Sequence, residues 1–241
     1  MSIEKKESKN NVPIAYSLKT KKYVYLNNED EKGNKEYETE DKLIPFFDLK
    51  KKKSIRIFIS GSTGSGKTYL CERILETTFK KSPQIYLFSA IEDEDYSKIK
   101  NLLRVDIEDI LSQNRDLNIY ELLMPDSVCI FDDILSFPDK TAKLYLKLRT
   151  QCLSIGRHKN ISTICIEQQP RNYTKSRDVL LNSEVYIFFP KSSYMPFEKT
   201  CKEYLGLTKD KIEELGSNSR YVSINKVYPS YAVRESNINI L

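Results

Sequence analysis

One octapeptide restricts the fold of this chain more than any other stretch. Residues 61–68 read Gly-Ser-Thr-Gly-Ser-Gly-Lys-Thr and match the pattern G-x-x-x-x-G-K-[ST]. Its glycines allow backbone amides to turn inward around a phosphate group, and the loop leads that anion to the positive end of a helix. An apolar segment precedes the motif (residues 54–60), and Leu70, Ile74 and Leu75 follow it at helical spacing. The order of strand, loop and helix predicts a nucleotide-binding loop.

The residue types in the motif predict separate roles. We expect Lys67 to reach the β and γ phosphates of ATP, and the Thr68 hydroxyl to join the ligands of a Mg²⁺ ion. ATP and Mg²⁺ are therefore the expected cofactors. The predicted nucleotide-binding residues (Walker A) are Gly61, Ser62, Thr63, Gly64, Ser65, Gly66, Lys67 and Thr68.

A pair of aspartates follows the apolar strand pattern of residues 127–131. Ligands of a parallel sheet bind beyond the carboxyl ends of its strands, so the pair is expected beside the phosphate loop. Asp132 is predicted to hold Mg²⁺, as the Walker B aspartate does. Asp133 is predicted to orient and deprotonate the attacking water, which an ATP hydrolase needs and a small-molecule kinase does not.

Strand and helix patterns alternate from residue 55 onward, which predicts a mostly parallel sheet with helices on both faces. A further strand pattern, residues 84–89, lies in the chain between the phosphate loop and Asp132. This insertion and the second acid are typical of additional-strand (RecA-like) P-loop ATPases. We therefore predict an α/β P-loop NTPase fold of this type, ending in a β-hairpin.

The remaining patterns complete the expected order of elements. Strands are predicted over residues 161–166 and 184–189, with the hairpin formed by residues 220–224 and 231–234. Helices are predicted over residues 92–123, 138–155, 197–205 and 209–215, and residues 170–173 are predicted to be a loop.

The strand of residues 161–166 carries a predicted site residue beyond each end. Gln168 follows it, where a neutral amide can sense the γ phosphate or hold the water without competing for Mg²⁺. Arg157 precedes it, at the opposite edge of the subunit from the phosphate loop. In a ring, Arg157 could therefore serve the neighbouring site as an arginine finger.

Composition sets broad limits. The 241 residues allow one sizeable core, and the net charge of +5 fits nucleic acid as a partner without requiring it. Five cysteines without a C-x-x-C pair are expected to be reduced and buried, and a single histidine, His158, gives little support for a His-based zinc site. The sequence shows neither an apolar run of about 18 residues nor a signal peptide, so a transmembrane anchor is not expected.

Three charged segments have two readings each. Residues 1–41 are predicted to be a charged arm, partly disordered, ahead of a single ATPase domain at residues 42–241; a hairpin within residues 14–26 is the alternative. The four lysines of residues 50–53 are most simply a solvated charge run, and contact with nucleic acid is the alternative. The lysines at 140, 143 and 147 share one face of the helix at residues 138–155, where a solvent-exposed face is the commoner meaning and contact with a phosphate backbone is the alternative.

Together these motifs resemble a known family. The phosphate loop, Phe-Asp-Asp at 131–133, Gly-Arg-His at 156–158 with Asn-Ile-Ser at 160–162, and Gln168 are similar to the genome-packaging ATPases of large DNA viruses and their virophages. That family, typified by the poxvirus packaging ATPase, belongs to the FtsK-HerA superfamily of DNA-pumping rings. The resemblance covers residues 43–190. Many superfamily members have Glu where this chain has Asp133.

The resemblance implies a ring of identical subunits that uses ATP hydrolysis to drive double-stranded DNA into a preformed capsid. Contacts to DNA would be mainly to backbone phosphates, without sequence preference. A component of the capsid vertex or portal is an implied partner, and the viral factory in the host cytoplasm, with the virion as a second place, is the implied location. Arg157 is the implied finger, and its competitors are Arg149, Arg171 and Arg177.

Two other classes of function remain open from the sequence. A nucleoside or other small-molecule phosphotransferase would be a monomer or dimer with an acceptor pocket, and the sequence has no Arg-rich, lid-like segment to support it. A nucleotide-binding switch or scaffold with little turnover is the third reading. The intact pair of Asp132 and Asp133 argues against it.

Overall fold

The computed structural model describes residues 2–4, 8, 11–27, 35–50, 52–91, 96–112, 118–168, 173–217 and 219–241, without the side chains of 111–112 and 173–175. Strands in these ranges are β1 Ser2–Glu4, β2 Asn11–Ser17, β3 Tyr23–Asn27, β4 Glu36–Glu38, β5 Leu43–Pro45, β6 Arg56–Ser60, β7 Ile85–Ser89, β8 Leu102–Arg104, β9 Val128–Asp132, β10 Ser162–Glu167, β11 Val185–Phe188, β12 Val222–Asn225, β13 Tyr231–Arg234 and β14 Asn237–Ile240. Helices are α1 Lys67–Thr77, α2 Ile107–Ser112, α3 Ile119–Leu122, α4 Asp139–Ile155, α5 Tyr173–Asn182, α6 Tyr194–Leu205 and α7 Lys209–Gly216, with 3-10 turns at Ile134–Ser136 and Gly156–Lys159.

A large mixed sheet forms the centre of the described structure, in the order β4-β14-β13-β12-β11-β6-β10-β9-β7-β8. Pairing is parallel from β11 through β8 and antiparallel from β11 through β4. In space β10 lies between β6, which precedes the phosphate loop, and β9, which carries the aspartate pair. The predicted α/β class, the parallel sheet and the C-terminal hairpin are confirmed, with β14 continuing the antiparallel part.

Both faces of the sheet are buried, as an all-parallel centre requires. One face packs under α4, α6 and α7 around aromatic side chains, and Phe88 and Phe131 stack there with ring centroids 4.8 Å apart. The other face packs under α1, through Leu70, Ile74 and Leu75. Helix α1 thus presents to the sheet the apolar positions that follow the phosphate loop at helical spacing.

The N-terminal segment forms strands in its described part. β1, β3, β2 and β5 make a four-stranded antiparallel sheet in that order, and β2 and β3 are the hairpin that the sequence offered as the alternative to a partly disordered arm. Its apolar side chains, among them Ile14 and Leu26, share a core with Val233 and Ile238 of the C-terminal strands. Burial on one side of β2 and β3 therefore outweighs the high charge of the segment. The division at residues 41 and 42 stays a prediction.

Two elements differ from the sequence expectations. The predicted helix over residues 92–123 was wrong at residues 102–104, which form β8 and pair with β7 at the edge of the sheet. The described helices of that region are the short α2 and α3. A strand of three residues is too short to show an alternating pattern, so pairing alone defines it. Helix α5 was not predicted, although its buried Ser176, Val179 and Leu180 have helical spacing. The predicted loop at 170–173 was wrong at Tyr173, which begins α5, and its residues 170–172 lie outside the described residues, as does the lysine at 51.

The helices of the described ranges include none with both the length and the apolar character needed to cross a membrane.

An ion pair at the base of the sheet joins β6 to β11. Arg56 Nη2 donates to Glu184 Oε1 at 2.6 Å, and Lys52 Nζ lies 3.0 Å from Glu184 Oε2. Burial alone would raise the pKa of Glu184, but the hydrogen bond from Arg56 and the charge of Lys52 outweigh burial and hold that pKa below its usual value. The ionised carboxylate is therefore the form that stabilises the fold.

We expect Glu184→Gln to lower the free energy of unfolding at neutral pH by about 1–2 kcal/mol, because Arg56 loses a charged acceptor. The folded-state pKa of Glu184 is depressed, so the wild type loses this contribution as pH falls from about 4.3 through the lower folded value. Urea unfolding of both proteins at neutral pH and at about pH 3.5 measures the effect, which should shrink in acid. The exposed pair of Arg73 and Glu76 supplies the control, since Glu76→Gln should change stability by less than about 0.5 kcal/mol at either pH. An equal loss for both variants would contradict this account.

Candidate active site

The phosphate-loop motif forms the turn between β6 and α1. Ser60 ends the strand and Lys67 begins the helix. Gly66 has φ +103°, a backbone conformation that residues with side chains rarely adopt. A Cβ at Gly61 would lie 2.7 Å from the Ser65 hydroxyl oxygen, so the loop closes tightly on itself. Glycine at these two positions is therefore required by the local geometry.

Lys67 directs its ammonium group into its own loop. Nζ donates to the carbonyl oxygens of Gly61 at 2.8 Å and Ser62 at 3.1 Å. Burial lowers the pKa of Lys67, while the negative charges of Asp133 and Asp132 oppose that change. Both predicted acidic residues therefore act electrostatically on the loop lysine, as expected from their place at the end of β9.

Asp132 is oriented by a residue that the sequence did not single out. Tyr96 Oη donates to Asp132 Oδ2 at 3.2 Å, and the same hydroxyl is hydrogen-bonded to Cys71 of α1. A hydrogen bond to one carboxylate oxygen restricts rotation of the group and so directs the other oxygen. Tyr96 has no local signal in the sequence because its role depends on contacts with β9 and α1.

Asp133 occupies a turn that few side chains tolerate. Its φ is +46°, in the left-handed region that Asp enters more readily than most residues. The backbone N–H donates to Ile166 of β10 at 3.2 Å, and Gln168 Nε2 donates to Asp133 Oδ2 at 3.1 Å. The two residues predicted to act on the water are thus in direct contact.

Glu167, just before Gln168, is buried, and its carboxylate accepts hydrogen bonds from side chains of two helices. Its Oε1 accepts from Arg149 Nη1 of α4 at 2.9 Å, and its Oε2 accepts from Ser176 of α5 at 2.7 Å. Its carbonyl oxygen also accepts from the Gly61 N–H at 3.3 Å. The segment that carries Gln168 is therefore tied to the phosphate loop and to both helices.

The candidate arginine fingers have different surroundings. Arg157 is exposed in the 3-10 turn at the start of β10, at the edge of the sheet opposite the phosphate loop, as predicted. Arg177 is exposed on α5. Arg149 is 1% exposed and paired with Glu167, so it cannot reach a neighbouring subunit from its place in the interior. Arg171 lies outside the described residues.

A fifth arginine, Arg220, contacts the phosphate loop from a distant part of the chain. Arg220 precedes β12, and its Nε donates to the Ser65 carbonyl oxygen at 3.2 Å. Because the two residues are 155 positions apart in the chain, no local pattern connects them. The sequence analysis missed Arg220 for this reason.

The residues present fit a magnesium nucleotide. The Ser65 hydroxyl oxygen is buried inside the loop and has no hydrogen-bond partner among the described residues, and Gly61 leaves room beside it. Loop amides and Lys67 are donors suited to phosphate oxygens. Thr68 and Asp132 are the oxygen ligands suited to Mg²⁺.

Comparison with known proteins supports the same fold. No protein-family model matches the chain. "Uncharacterized protein V3" of Sputnik virophage is 29% identical over 244 residues, which cover 98% of this chain and 97% of V3.

Two solved proteins are similar in structure. The genome-packaging NTPase B204 of Sulfolobus turreted icosahedral virus 2, in complex with sulfate, is 14% identical with a TM-score of 0.52 and covers 78% of this chain and 98% of its own. The cytoplasmic domain of the Thermomonospora curvata type VII secretion ATPase EccC is 14% identical with a TM-score of 0.54 and covers 97% of this chain but 29% of its own. This chain therefore has the P-loop ATPase fold seen in a viral genome-packaging NTPase, and it resembles a virophage protein along nearly its whole length.

Proposed function

We propose that this chain is an ATP hydrolase that drives double-stranded DNA into a preformed viral capsid. The observation that carries the proposal is that β6, β10 and β9 end side by side, which places the phosphate loop beside the aspartate pair, with Gln168 hydrogen-bonded to Asp133. A second acid and an amide beside a phosphate loop suit hydrolysis by water. The fold shared with B204, which is named as a genome-packaging NTPase and was solved with ATP-gammaS, supports the choice of packaging.

The loop residues would bind and orient the phosphates. Backbone amides of residues 61–68 and the Lys67 ammonium would neutralise their charge, and moving Nζ from two loop carbonyls to phosphate oxygens would exchange neutral acceptors for charged ones. Thr68 and Asp132 would hold Mg²⁺, which when bound stabilises the negative charge on the transferred phosphoryl group. Tyr96 would keep the Asp132 carboxylate in one orientation.

Asp133 would accept the proton of the attacking water. Gln168 donates a hydrogen bond of 3.1 Å to one oxygen of the Asp133 carboxylate, so the orientation of the carboxylate depends on the position of the amide. Because the amide is neutral, it positions the acid without adding a charge that would repel a metal ion. Because the side chain of Asp is shorter than that of Glu, the position of this carboxylate depends closely on the backbone. The positive φ of Asp133 therefore sets where the carboxylate lies beyond the end of β9.

A ring assembly would complete each site from a neighbour. Arg157 stands at the far edge of the sheet from its own phosphate loop, exposed on a short turn. In a ring built from heterologous interfaces, one surface of each subunit packs against a different surface of the next. In this arrangement Arg157 would reach the phosphates held by the next subunit, and a capsid vertex or portal component would anchor the ring. The viral factory in the host cytoplasm, and the virion, are the proposed locations.

DNA contact is proposed for the exposed lysine stripe of α4, which consists of Lys140, Lys143 and Lys147. None of the three forms an ion pair with another described residue. Lys140 and Lys147 are seven positions apart on one helix, or about 10 Å along its axis, so the three lysines can reach more than one phosphate of a strand. Helix α4 also carries Arg149, which binds the Glu167 segment, so the stripe and the site share one rigid element.

We expect the wild type to hydrolyse ATP faster when long double-stranded DNA is added. We expect the substitution Asp133→Asn to lower the rate of hydrolysis by about 10²–10⁴-fold while ATP stays bound. Steady-state phosphate release and equilibrium binding of a fluorescent ATP analogue measure the two effects. Asp126→Asn is the matched control because Asp126 also has a positive φ, +61°, and lies at the other end of β9. Rapid hydrolysis by Asp133→Asn would assign water activation to another group. Stimulation by a nucleoside instead of DNA would favour a phosphotransferase.

For Arg157→Ala we expect ATP binding close to wild type and a loss of turnover of about 10³–10⁵-fold, the range for arginine fingers. Wild-type turnover per subunit should rise with protein concentration as rings form. Mixing Arg157→Ala with Lys67→Ala should restore part of the activity, because each variant supplies what its neighbour lacks. Arg104→Ala, an exposed arginine on the edge strand β8, should behave as wild type. Full activity of Arg157→Ala alone would remove it from the site.

Replacing Lys140, Lys143 and Lys147 together by Gln should weaken DNA binding and lower the slope of log affinity against log salt by about 3, one unit per phosphate contact. DNA-stimulated turnover should fall while turnover without DNA stays unchanged. The matched control is Gln at Lys80, Lys98 and Lys100, three exposed lysines around a cavity at the other end of β7. An equal effect of both triple variants would show that only net charge matters.

A further inference from the structure

The Arg220 side chain contacts the phosphate loop of its own subunit. Besides the 3.2 Å bond from Nε to Ser65, its Nη2 lies 2.6 Å from the position that a Cβ on Gly66 would occupy. A side chain at residue 66 would therefore displace the guanidinium as well as strain a backbone with φ +103°. Gly66 thus has a second role, since its lack of a side chain leaves space for the guanidinium of Arg220 beside the loop.

The segment that presents Arg220 is held on both sides. Ser219 Oγ donates to the Tyr221 carbonyl oxygen at 2.6 Å and accepts from the Glu235 N–H at 3.2 Å. Tyr221 is buried, and its hydroxyl donates to the Leu43 carbonyl oxygen. With both neighbours fixed, Arg220 has a defined origin beside the loop, although its own side chain is exposed.

Strand register explains why Arg220 meets the loop. Val222 of β12 pairs with Phe188 of β11, and Phe188 pairs with Ser60, the last residue of β6. The chain entering β12 therefore passes the same edge of the sheet from which the phosphate loop emerges. This placement is a property of the pairing and not of an exposed side chain that happens to fold back.

The charges around Arg220 call for an anion. A guanidinium group is positively charged throughout the physiological pH range, and here it stands beside the positive end of α1 and the loop that holds Lys67. No carboxylate of the described residues forms an ion pair with Arg220. The carboxylates of Asp132 and Asp133 act on Lys67 from β9, with β10 between that strand and β6. Repulsion among the cationic groups is relieved when a polyanion binds.

We propose that Arg220 is a nucleotide-binding residue supplied by the same subunit. One edge of its guanidinium, through Nε, holds the Ser65 carbonyl, and the remaining N–H groups bind the nucleotide. The inference rests on the proposed function, because it takes the loop to be a nucleotide site. It differs from the finger proposed for Arg157, which would act on a neighbouring subunit and on turnover. Arg220 acts on affinity within a single chain.

The test is equilibrium binding of a fluorescent ATP analogue to full-length protein without DNA, at a concentration where subunits do not assemble. Three substitutions separate charge from loop support. Arg220→Ala removes both, Arg220→Gln retains a neutral donor for the Ser65 carbonyl, and Arg220→Lys retains the charge. Arg104→Ala is the control, since Arg104 lies on β8, with three strands between it and β6. Circular dichroism and thermal unfolding confirm that each variant folds.

We expect the dissociation constant to rise by about 10- to 100-fold in Arg220→Ala and Arg220→Gln, the range for losing a hydrogen bond to a charged group, and less in Arg220→Lys. The loss should diminish as salt concentration rises, because charge screening weakens the wild-type contact. Wild-type affinity in Arg220→Gln would mean that Arg220 only supports the loop, and would overturn the proposal. Wild-type affinity in Arg220→Ala would overturn it as well. Failure of the wild type itself to bind nucleotide would instead overturn the proposed function together with this inference.

Discussion

Placement of β10 between β6 and β9 is the constraint on which the site depends. The parallel register sets Glu167 opposite Ser60 and Ile166 opposite Asp132, so the three strands end at the same level. Hydrogen bonding continues beyond the strands, from the Gly61 N–H to Glu167 and from the Asp133 N–H to Ile166. Each residue that would bind or cleave the nucleotide thus begins from a backbone position fixed by this ladder. A slip of one residue would turn these side chains to the wrong faces.

A buried ion pair supports that ladder from one side. Arg149 and Glu167 are almost fully buried, and removing such charges from water costs more than their attraction returns unless further hydrogen bonds form. Ser176 supplies one of those bonds, on the second carboxylate oxygen. The arrangement is better explained by specificity than by stability, because the bonds from Arg149 and Ser176 to the two oxygens of Glu167 favour one placement of α4 and α5 against β10. The buried pair, with its desolvation cost, lies at the end of β10, next to Gln168.

The small N-terminal sheet is connected to the site through the C-terminal strands. Its apolar side chains share a core with β13 and β14, and Tyr221 bonds to Leu43 just before β12 begins. The residue before Tyr221 is Arg220, which contacts the phosphate loop. Arg220 and Tyr221, which are adjacent in the chain, therefore contact the phosphate loop and Leu43 of the N-terminal sheet, respectively. Ser219, Arg220 and Tyr221 thus each contact a different part of the chain: Glu235, the phosphate loop and Leu43.

Local sequence determined the parts of this protein whose geometry is local. The glycines of residues 61–68, the apolar run that ends in Asp132 and Asp133, and the repeat of α4 each reflect what a backbone or one buried face requires, and these elements form as expected. The order of β6, β10 and β9, the edge strand β8, and the roles of Tyr96, Arg149 and Arg220 were decided only by the tertiary structure. Each depends on a partner far away in the chain, as Arg220 does on Ser65, and such contacts leave no periodic signal near either residue. Sequence alone therefore identified the phosphate loop, the aspartate pair and Gln168, while strand pairing decided which side chains meet there, because pairing energy is shared between segments that no local pattern connects.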